Sequence, residues 1–256
     1  MRDVRGDWSG QLVSAAIHNG HELRPEVAAA IVLDEATRLR EEDPWTDVIG
    51  ASLPAQVVAR RSRFEVDLNR PRDEAVYRTP EDCWGLEVWR ENPLDPEVAQ
   101  GSLEVYDAFY ADLAQRLDQV AARGPFVVYD VHSYNHRRDD AGPAPVEDNP
   151  EVNLGTGTVA AAFRPVVDAF ARSMGGQEVG GHLLDVRENV KFEGRALAWW
   201  VHERYAGTGV VLALEFKKTF MDERTGEVDE DHLHQLRTAL AATQEPVLRA
   251  LATVPR

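Results

Sequence analysis

The chain has 256 residues, of which 43% are hydrophobic and 28% charged, as is typical of a globular protein with a sizeable core; its single cysteine, Cys83, excludes an intramolecular disulfide and a cysteine-rich metal cluster. A net charge of −16 repels nucleic-acid backbones and anionic membranes, and no apolar run is long enough to span a bilayer, so neither partner is expected. We expect a single domain over residues 1–256, placed in the cytoplasm because the first ten residues lack the apolar core of a secretion signal.

Apolar runs and helical patterns alternate along the chain. Strands are predicted at residues 12–17, 55–59, 64–68, 125–131 and 208–216, and helices at residues 25–43, 95–123, 158–174, 195–205 and 229–252. Strands that alternate with helices of this length indicate an α/β fold around a largely parallel sheet. The polar, proline-rich residues 137–152 predict either a lid or a plain surface loop.

Polar side chains stand at the ends of several predicted strands, where ligands bind in open α/β sheets. His18 follows the first strand, Asp130 and His132 end the fourth, and Glu215 ends the last. Two histidines and a carboxylate from separate strand ends can bind zinc with an open position for water, and a further carboxylate can act as general base. A lone histidine after a strand is more often structural, so the pattern gains weight from its repetition.

Residues 62–70 alternate polar and apolar side chains. In an extended strand, one face would carry Arg63, Glu65, Asp67 and Asn69, and the other Phe64, Val66 and Leu68. This pattern predicts a row that faces a site and a row that faces the core, although an ordinary edge strand would show the same alternation.

Six motifs follow one another in a characteristic order: IHNGH, SRFEVDLNRP, YDVHSYNHR, NLGTG, ENVKFEGR and LALEFKKTFMDE. Together they resemble the N-formylglutamate amidohydrolase family over roughly residues 14–222, and that family is similar in turn to the zinc carboxypeptidases and aspartoacylases. The resemblance implies a single three-layer α/β/α domain around a mixed, mostly parallel sheet.

The resemblance also implies a zinc site with His18 and His132 as ligands. The carboxylate ligand is open: the acidic stretch REEDPWTD offers Asp43 as first choice and Glu42 as second, while Glu22 and His21 lie nearer the position that the carboxypeptidases use. A solvated helix end would explain the acids of this stretch equally well. Asp130, two residues before His132, is expected to orient its ring.

The implied catalytic residues are Glu215, as the proton shuttle, and Arg63, which would polarise the scissile carbonyl or hold a second carboxylate. Asn69 and Arg70 resemble the pair that grips a substrate carboxylate, and Thr156 and Asn189 fall in motifs near the family's pocket. Without the resemblance, Glu215 would be interpreted as a carboxylate paired with Lys217 or Lys218.

The sequence therefore predicts a zinc-dependent amidohydrolase that cleaves the linear amide bond of a small anionic N-formyl or short N-acyl amino acid, such as N-formylglutamate. One alternative is an aspartoacylase-like or carboxypeptidase-like metal hydrolase with a larger acyl or peptide substrate. The other is a catalytically inactive relative that binds a small molecule.

Overall fold

A seven-stranded mixed sheet organises the computed structural model, which describes residues 2–137 and 145–255. The strands are β1 (Arg2–Gly6), β2 (Leu12–Ala16), β3 (Ala55–Ala59), β4 (Phe126–Tyr134), β5 (Val152–Gly155), β6 (Glu178–Val179), β7 (His182–Leu183), β8 (Val186–Glu188) and β9 (Gly209–Lys217). The helices are α1 (Pro25–Ala30), α2 (Glu35–Glu41), α3 (Thr46–Gly50), α4 (Pro96–Ala121), α5 (Arg164–Gly175), α6 (Ala196–Arg204), α7 (Glu230–Ala242) and α8 (Gln244–Leu251).

The order of the strands in the sheet is β1-β3-β2-β4-β9-β5-β8, and β6 pairs with β7 separately. The strands β3, β2, β4 and β9 run parallel, β1 and β5 run antiparallel to their neighbours β3 and β9, and β8 runs parallel to β5. The predicted mixed, mostly parallel sheet is therefore confirmed.

Helices cover both faces of the sheet, which explains why β2 and β4 are buried along their whole length. Val127, Tyr129 and Val131 of β4 pack with α5, α7 and α8, whereas Phe126 and Val128 pack with α4 and α6 on the opposite face. Successive side chains of a strand point to opposite faces, so one strand contributes to both cores. These two cores produce the predicted three-layer arrangement.

The predicted strand at residues 64–68 is wrong. The N–H groups of Glu65 and Val66 both donate to the Ser62 carbonyl, and that of Asp67 donates to the Ala75 carbonyl, so the segment turns. Glu65 leaves the expected site-facing row and binds Arg24 instead. The polar and the apolar side chains of residues 64–69 are both buried, so their alternation does not separate a core face from a solvent face.

Two predicted helices are divided. The segment 25–43 becomes α1 and α2, because Asp34 adopts an extended conformation and caps α2 by accepting from the Thr37 N–H. The segment 229–252 becomes α7 and α8, separated at Thr243. Of the candidate lid at residues 137–152, residues 138–144 lie outside the described residues. Within the described ranges, no helix has both the length and the hydropathy needed to cross a membrane.

Candidate metal centre and active site

A cavity of about 450 Å³ lies at the carboxyl ends of the central parallel strands. His18 follows β2, while His132 and Glu215 occupy the last part of β4 and β9. Because parallel strands bring their ends to one edge of a sheet, the structure places these three predicted residues on one cavity wall. The polar and charged lining also includes Glu41, Asp43, Arg63, Asp67, Asn69, Ser133, Asn135, Lys191, Glu193, Arg195 and Lys218.

His18, Asp43 and His132 form a buried cluster in this cavity. One potential ligand atom of each lies within 4.8 Å of the others. Asp43 Oδ2 is 2.9 Å from Nδ1 of His132 and 3.4 Å from Nδ1 of His18. Two imidazoles and one carboxylate are a donor set that suits zinc and leaves coordination positions for water or substrate.

The other nitrogen of each ring faces a second carboxylate. Asp67 Oδ1 is 2.7 Å from Nε2 of His18, and Asp130 Oδ1 is 2.9 Å from Nε2 of His132. A proton on each Nε2 would face these carboxylates and leave two Nδ1 lone pairs directed at the Asp43 oxygen. Three electron-rich atoms facing one another repel, and a cation among them removes the repulsion. The cluster therefore fits a metal ion, and Asp130 lies where the sequence placed it.

Asp43 reaches the cluster because its backbone is held at the end of α2. Its N–H donates to the His18 carbonyl at 2.9 Å, and its own carbonyl accepts from Thr46 Oγ1 at 2.7 Å. Glu42, the second choice for the ligand, is extended and points the other way, where Oε2 contacts His21 Nδ1 at 2.5 Å and Oε1 accepts from Ser62. The structure does not bring Glu42 into the cluster, because adjacent side chains of an extended backbone diverge.

The two remaining candidates for the metal site also lie outside the cluster. His21 is bound between Glu42 and Arg38, with Arg38 Nη2 3.1 Å from its Nε2. Glu22 is on the surface, where it accepts from Arg60 Nε at 2.8 Å. Of the acidic candidates, Asp43 is thus the one that the structure places beside both histidines.

The carboxylates around the cluster determine its protonation. Without a cation, burial opposes the charge on Asp43, but hydrogen bonds from Nδ1–H groups of His132 and His18 outweigh it and hold the pKa of Asp43 well below its usual range. Burial likewise opposes charge on His132, but Asp130, Asp43 and Glu215 raise the pKa of that ring well above its usual value. In the absence of a cation, a proton on His132 would relieve the negative charge of the cluster.

Glu215 lies beside the cluster without belonging to it. In the sheet it is the register partner of His132 on β4 and of Asn153 on β5. Burial raises the pKa of Glu215 to about 8, and neighbouring Asp43 and Asp130 act in the same direction although His132 and Arg63 oppose them. A bound divalent cation would lower this pKa, because positive charge favours the carboxylate. A carboxylate with a pKa near neutrality is suited to accept and return a proton.

Arg63 and Asn69 line the cavity, and a turn positions them where a strand was expected. Arg63 donates from Nη2 to Asp67 Oδ2 at 2.8 Å, and its guanidinium lies 4.8 Å from the centre of the Trp84 ring. Asn69 Nδ2 is 3.3 Å from His132 Nε2, and Asn69 Oδ1 accepts from the N–H of Leu197 at the start of α6. Asn69 thus lies between the His18–Asp43–His132 cluster and the start of α6.

Arg70 does not line the cavity. Its guanidinium lies 4.9 Å from the centre of the Tyr77 ring and donates to the Asp82 carbonyl. Adjacent residues in the 62–70 turn diverge, so the expected Asn69–Arg70 pair is not formed on the cavity wall. Thr156 and Asn189 are also absent from the wall: Asn189 Oδ1 accepts from the Thr156 N–H, and its Nδ2 donates to Thr156 Oγ1 at 2.9 Å. These bonds connect β5 to the turn after β8.

Three cavity cations were not predicted: Lys191, Arg195 and Lys218. The first two belong to the ENVKFEGR motif, whose shape depends on Asn153, since Asn153 Oδ1 accepts from the N–H groups of residues 190–192. A Cβ at Gly155 would lie 2.7 Å from the Gly194 nitrogen, so this segment packs directly on β5. The sequence did contain a signal for Arg195, because this basic residue directly precedes the apolar residues of a predicted helix.

Comparisons with known proteins identify the family and the fold. The sequence profile of the N-formylglutamate amidohydrolase family matches residues 10–221. An N-formylglutamate deformylase from Pseudomonas aeruginosa is 27% identical over 194 residues, which cover 65% of this chain and 70% of that protein. The crystal structure of N-formylglutamate amidohydrolase from Ralstonia eutropha JMP134 has a TM-score of 0.77 at 16% identity, with 97% of this chain and 96% of that chain covered. The gene product Atu2144 from Agrobacterium tumefaciens has a TM-score of 0.68 at 14% identity, covering 97% and 95%. At these identities, the two solved structures show a shared fold.

Proposed function

Because the chain belongs to the N-formylglutamate amidohydrolase family, hydrolases of amide C–N bonds, we propose that it is a zinc-dependent enzyme that removes the formyl group from a small anionic N-formyl amino acid, such as N-formylglutamate. The observation that carries this proposal is the His18–Asp43–His132 cluster with Glu215 next to it in the same cavity. The separation of a ligand set from a free carboxylate is what metal-assisted amide hydrolysis requires.

His18, Asp43 and His132 would hold the metal ion, and Asp67 and Asp130 would orient the two rings. The ion, when bound, supplies Lewis acidity toward the amide carbonyl and lowers the pKa of water. Glu215 accepts a proton from the attacking water and delivers it to the amide nitrogen as the C–N bond breaks, so water and amide become formate and a free amine.

Arg63 and Arg195, two cationic side chains of the cavity, would bind the polar groups of the substrate. Arg63 is already paired with Asp67 at 2.8 Å, which leaves its outward N–H groups for the scissile carbonyl or a nearby carboxylate. Within residues 2–137 and 145–255, no side chain forms an ion pair with Arg195, which is exposed on the wall next to α6. We therefore assign the role expected of Arg70, binding of a substrate carboxylate, to Arg195 together with Asn69.

A second candidate function is hydrolysis of a larger N-acyl amino acid. The cavity volume lies in the range of pockets that hold drug-sized ligands, which is more room than a formyl amino acid needs. Trp84 and Trp199 also line the cavity, and each is 46% exposed. Exposed aromatic rings at a pocket suit an apolar group on the substrate.

The test is a hydrolysis panel on the purified, metal-analysed protein. Formate or acetate release and free amine are measured for N-formyl and N-acetyl forms of glutamate, leucine and tryptophan. We expect zinc at one ion per chain and the fastest turnover with N-formylglutamate. Turnover of the N-acetyl or aromatic compounds alone would favour the second candidate, and a zinc-loaded protein that cleaves none of them would overturn both.

The proton shuttle is tested by Glu215→Gln. This change keeps the side-chain size and removes the basic oxygen, so we expect kcat to fall by roughly 10²- to 10⁴-fold while bound zinc stays at the wild-type level. Glu203→Gln, a change at an exposed position on α6, serves as the matched control and should leave kcat unchanged. Wild-type kcat in Glu215→Gln would remove Glu215 from the mechanism.

A further inference from the structure

Lys218 is a buried lysine whose ammonium group binds backbone carbonyls. It follows the last residue of β9 and is 2% exposed. Its Nζ donates to the Arg40 carbonyl at 2.6 Å and to the Glu42 carbonyl at 2.7 Å. Among the described residues, no carboxylate lies within ion-pair distance of this ammonium.

A buried charge with neutral partners needs a reason. Removing an ammonium from water is costly, and the cost is recovered only in part by hydrogen bonds to uncharged oxygens. A methionine has a similar length and would fill the same space without that cost. The contribution of Lys218 should therefore be one that an apolar side chain cannot make.

The two carbonyls that Lys218 binds belong to the end of α2. The last carbonyls of a helix have no partner within the helix, and a cation placed there interacts favourably with them. The Glu42 carbonyl belongs to the peptide bond that leads into Asp43, and the Arg40 carbonyl lies two peptide bonds earlier. The Asp43 N–H donates to the His18 carbonyl, and the Asp43 carbonyl accepts from Thr46. The bonds from Lys218 hold the residues that directly precede Asp43, so the backbone of this turn is fixed on both sides.

We infer that Lys218 is a positioning residue of the metal centre: through the Arg40 and Glu42 carbonyls it holds Asp43 against His18 and His132. The same bonds connect the turn of Asp43 to β9, which carries Glu215 three residues earlier. The inference rests on the proposed function, in that these three side chains bind the ion. It requires nothing about the identity of the substrate.

The experiment compares Lys218→Met with Lys217→Met. Lys217 is the adjacent lysine, half-buried, and its Nζ lies 3.5 Å from the Asn149 carbonyl, away from α2. Zinc affinity is measured by competition with a chromophoric chelator, and the visible spectrum of the cobalt-substituted protein reports the ligand geometry. We expect Lys218→Met to bind zinc roughly 10- to 100-fold more weakly and to change the cobalt spectrum. Lys217→Met should match the wild type in both.

The outcomes separate the inference from the proposed function. A wild type that binds no metal ends both, whereas equal zinc affinities and cobalt spectra in the two variants end the inference alone. If Lys218→Met does not fold, Lys218→Gln, which keeps a hydrogen-bond donor, is measured in its place. Loss of folding in both Lys218 variants would assign the lysine to the stability of the core and overturn its specific role at the metal.

Discussion

Asp67 connects His18 of the His18–Asp43–His132 cluster to Arg63 of the cavity wall. Its Oδ1 faces His18, and its Oδ2 accepts from Tyr77 OH at 2.6 Å and from Arg63 Nη2 at 2.8 Å. Burial disfavours the ionised form, but Arg63, His18 and Tyr77 outweigh it and hold the pKa of Asp67 well below its usual range. An ionised Asp67 keeps the proton on Nε2 of His18, which leaves Nδ1 to bind a metal ion.

We expect Asp67→Asn to weaken zinc binding roughly 10- to 100-fold, because an amide no longer selects the histidine tautomer that the metal needs. Chelator competition measures the affinity. The matched control is Asp107→Asn, which removes a carboxylate from an exposed ion pair with Arg72. Equal affinities in the two variants would show that Asp67 does not set the tautomer.

Replacement of Arg195 is expected to weaken substrate binding much more than replacement of Arg70. Arg195→Ala should raise KM for N-formylglutamate roughly 10- to 100-fold with little change in kcat, since a charge-assisted hydrogen bond to a carboxylate contributes about 1.5–3 kcal/mol. Arg70→Ala should raise KM far less, because Arg70 binds the Asp82 carbonyl and the face of Tyr77. Steady-state kinetics on both variants decide between them, and the reverse order would restore Arg70 as the anchor.

The packing of α6 on β9 includes a histidine that must stay neutral. β5 pairs with residues 213–216 of β9, so the N–H of Val211 lies beyond the last strand pair on that side. His202 of α6 supplies the acceptor that β5 does not, because its Nε2 accepts from the Val211 N–H at 2.8 Å. Burial disfavours a charged ring and lowers the pKa of His202 to about 4. A proton on Nε2 would also remove this acceptor.

The depressed pKa of His202 predicts a loss of stability in acid. The unfolded chain binds a proton at this ring below about pH 6.5, and the native protein does so only near pH 4, so the free energy of unfolding falls as pH drops from 6.5 to 4. The loss is about 2–3 kcal/mol at most, since a tenfold change in an acid constant corresponds to about 1.4 kcal/mol and the ring is partly exposed.

Urea unfolding of wild type and His202→Gln at pH 7 and pH 4.5 measures this effect. Glutamine can accept from the Val211 N–H without titrating, so the variant should lose less stability between the two pH values. His234→Gln, a change at an exposed position of α7, is the control and should keep the wild-type difference. An unchanged difference in His202→Gln would exclude His202 as its source.

The His18–Asp43–His132 cluster joins parts of the molecule that are far apart in sequence. His18 and Asp43 lie 25 positions apart and His132 a further 89, yet all three contact one another between β2, β4 and the end of α2. A cation bound there would be a cross-link that exists in the native state and not in the unfolded chain. Binding of this kind stabilises the whole fold in proportion to the logarithm of free metal over Kd.

Removal of zinc with a chelator should therefore lower the unfolding temperature. Zinc at 100 times Kd adds about 2.7 kcal/mol, which corresponds to roughly 5–10 °C for a chain of this size. Calorimetry of the metal-free protein, with and without added zinc, measures the shift. Magnesium serves as the control because it prefers oxygen ligands, and an equal shift with both ions would contradict a site of two histidines and one aspartate.

The alternation of apolar runs and helical patterns was enough to predict β2, β3, β4 and β9, their largely parallel arrangement and the edge at which His18, His132 and Glu215 meet, whereas β1, β5 and β8 of the same sheet were not predicted. Those features depend on local periodicity and on the rule that parallel strands end together, and both can be recognised along a chain. The contacts of Asp43, Asp67, Arg195 and Lys218 could not be predicted in this way. They depend on turns whose direction is set by hydrogen bonds to distant residues, so neighbours such as Glu42 and Asp43, or Asn69 and Arg70, receive different surroundings through the folding of the whole chain.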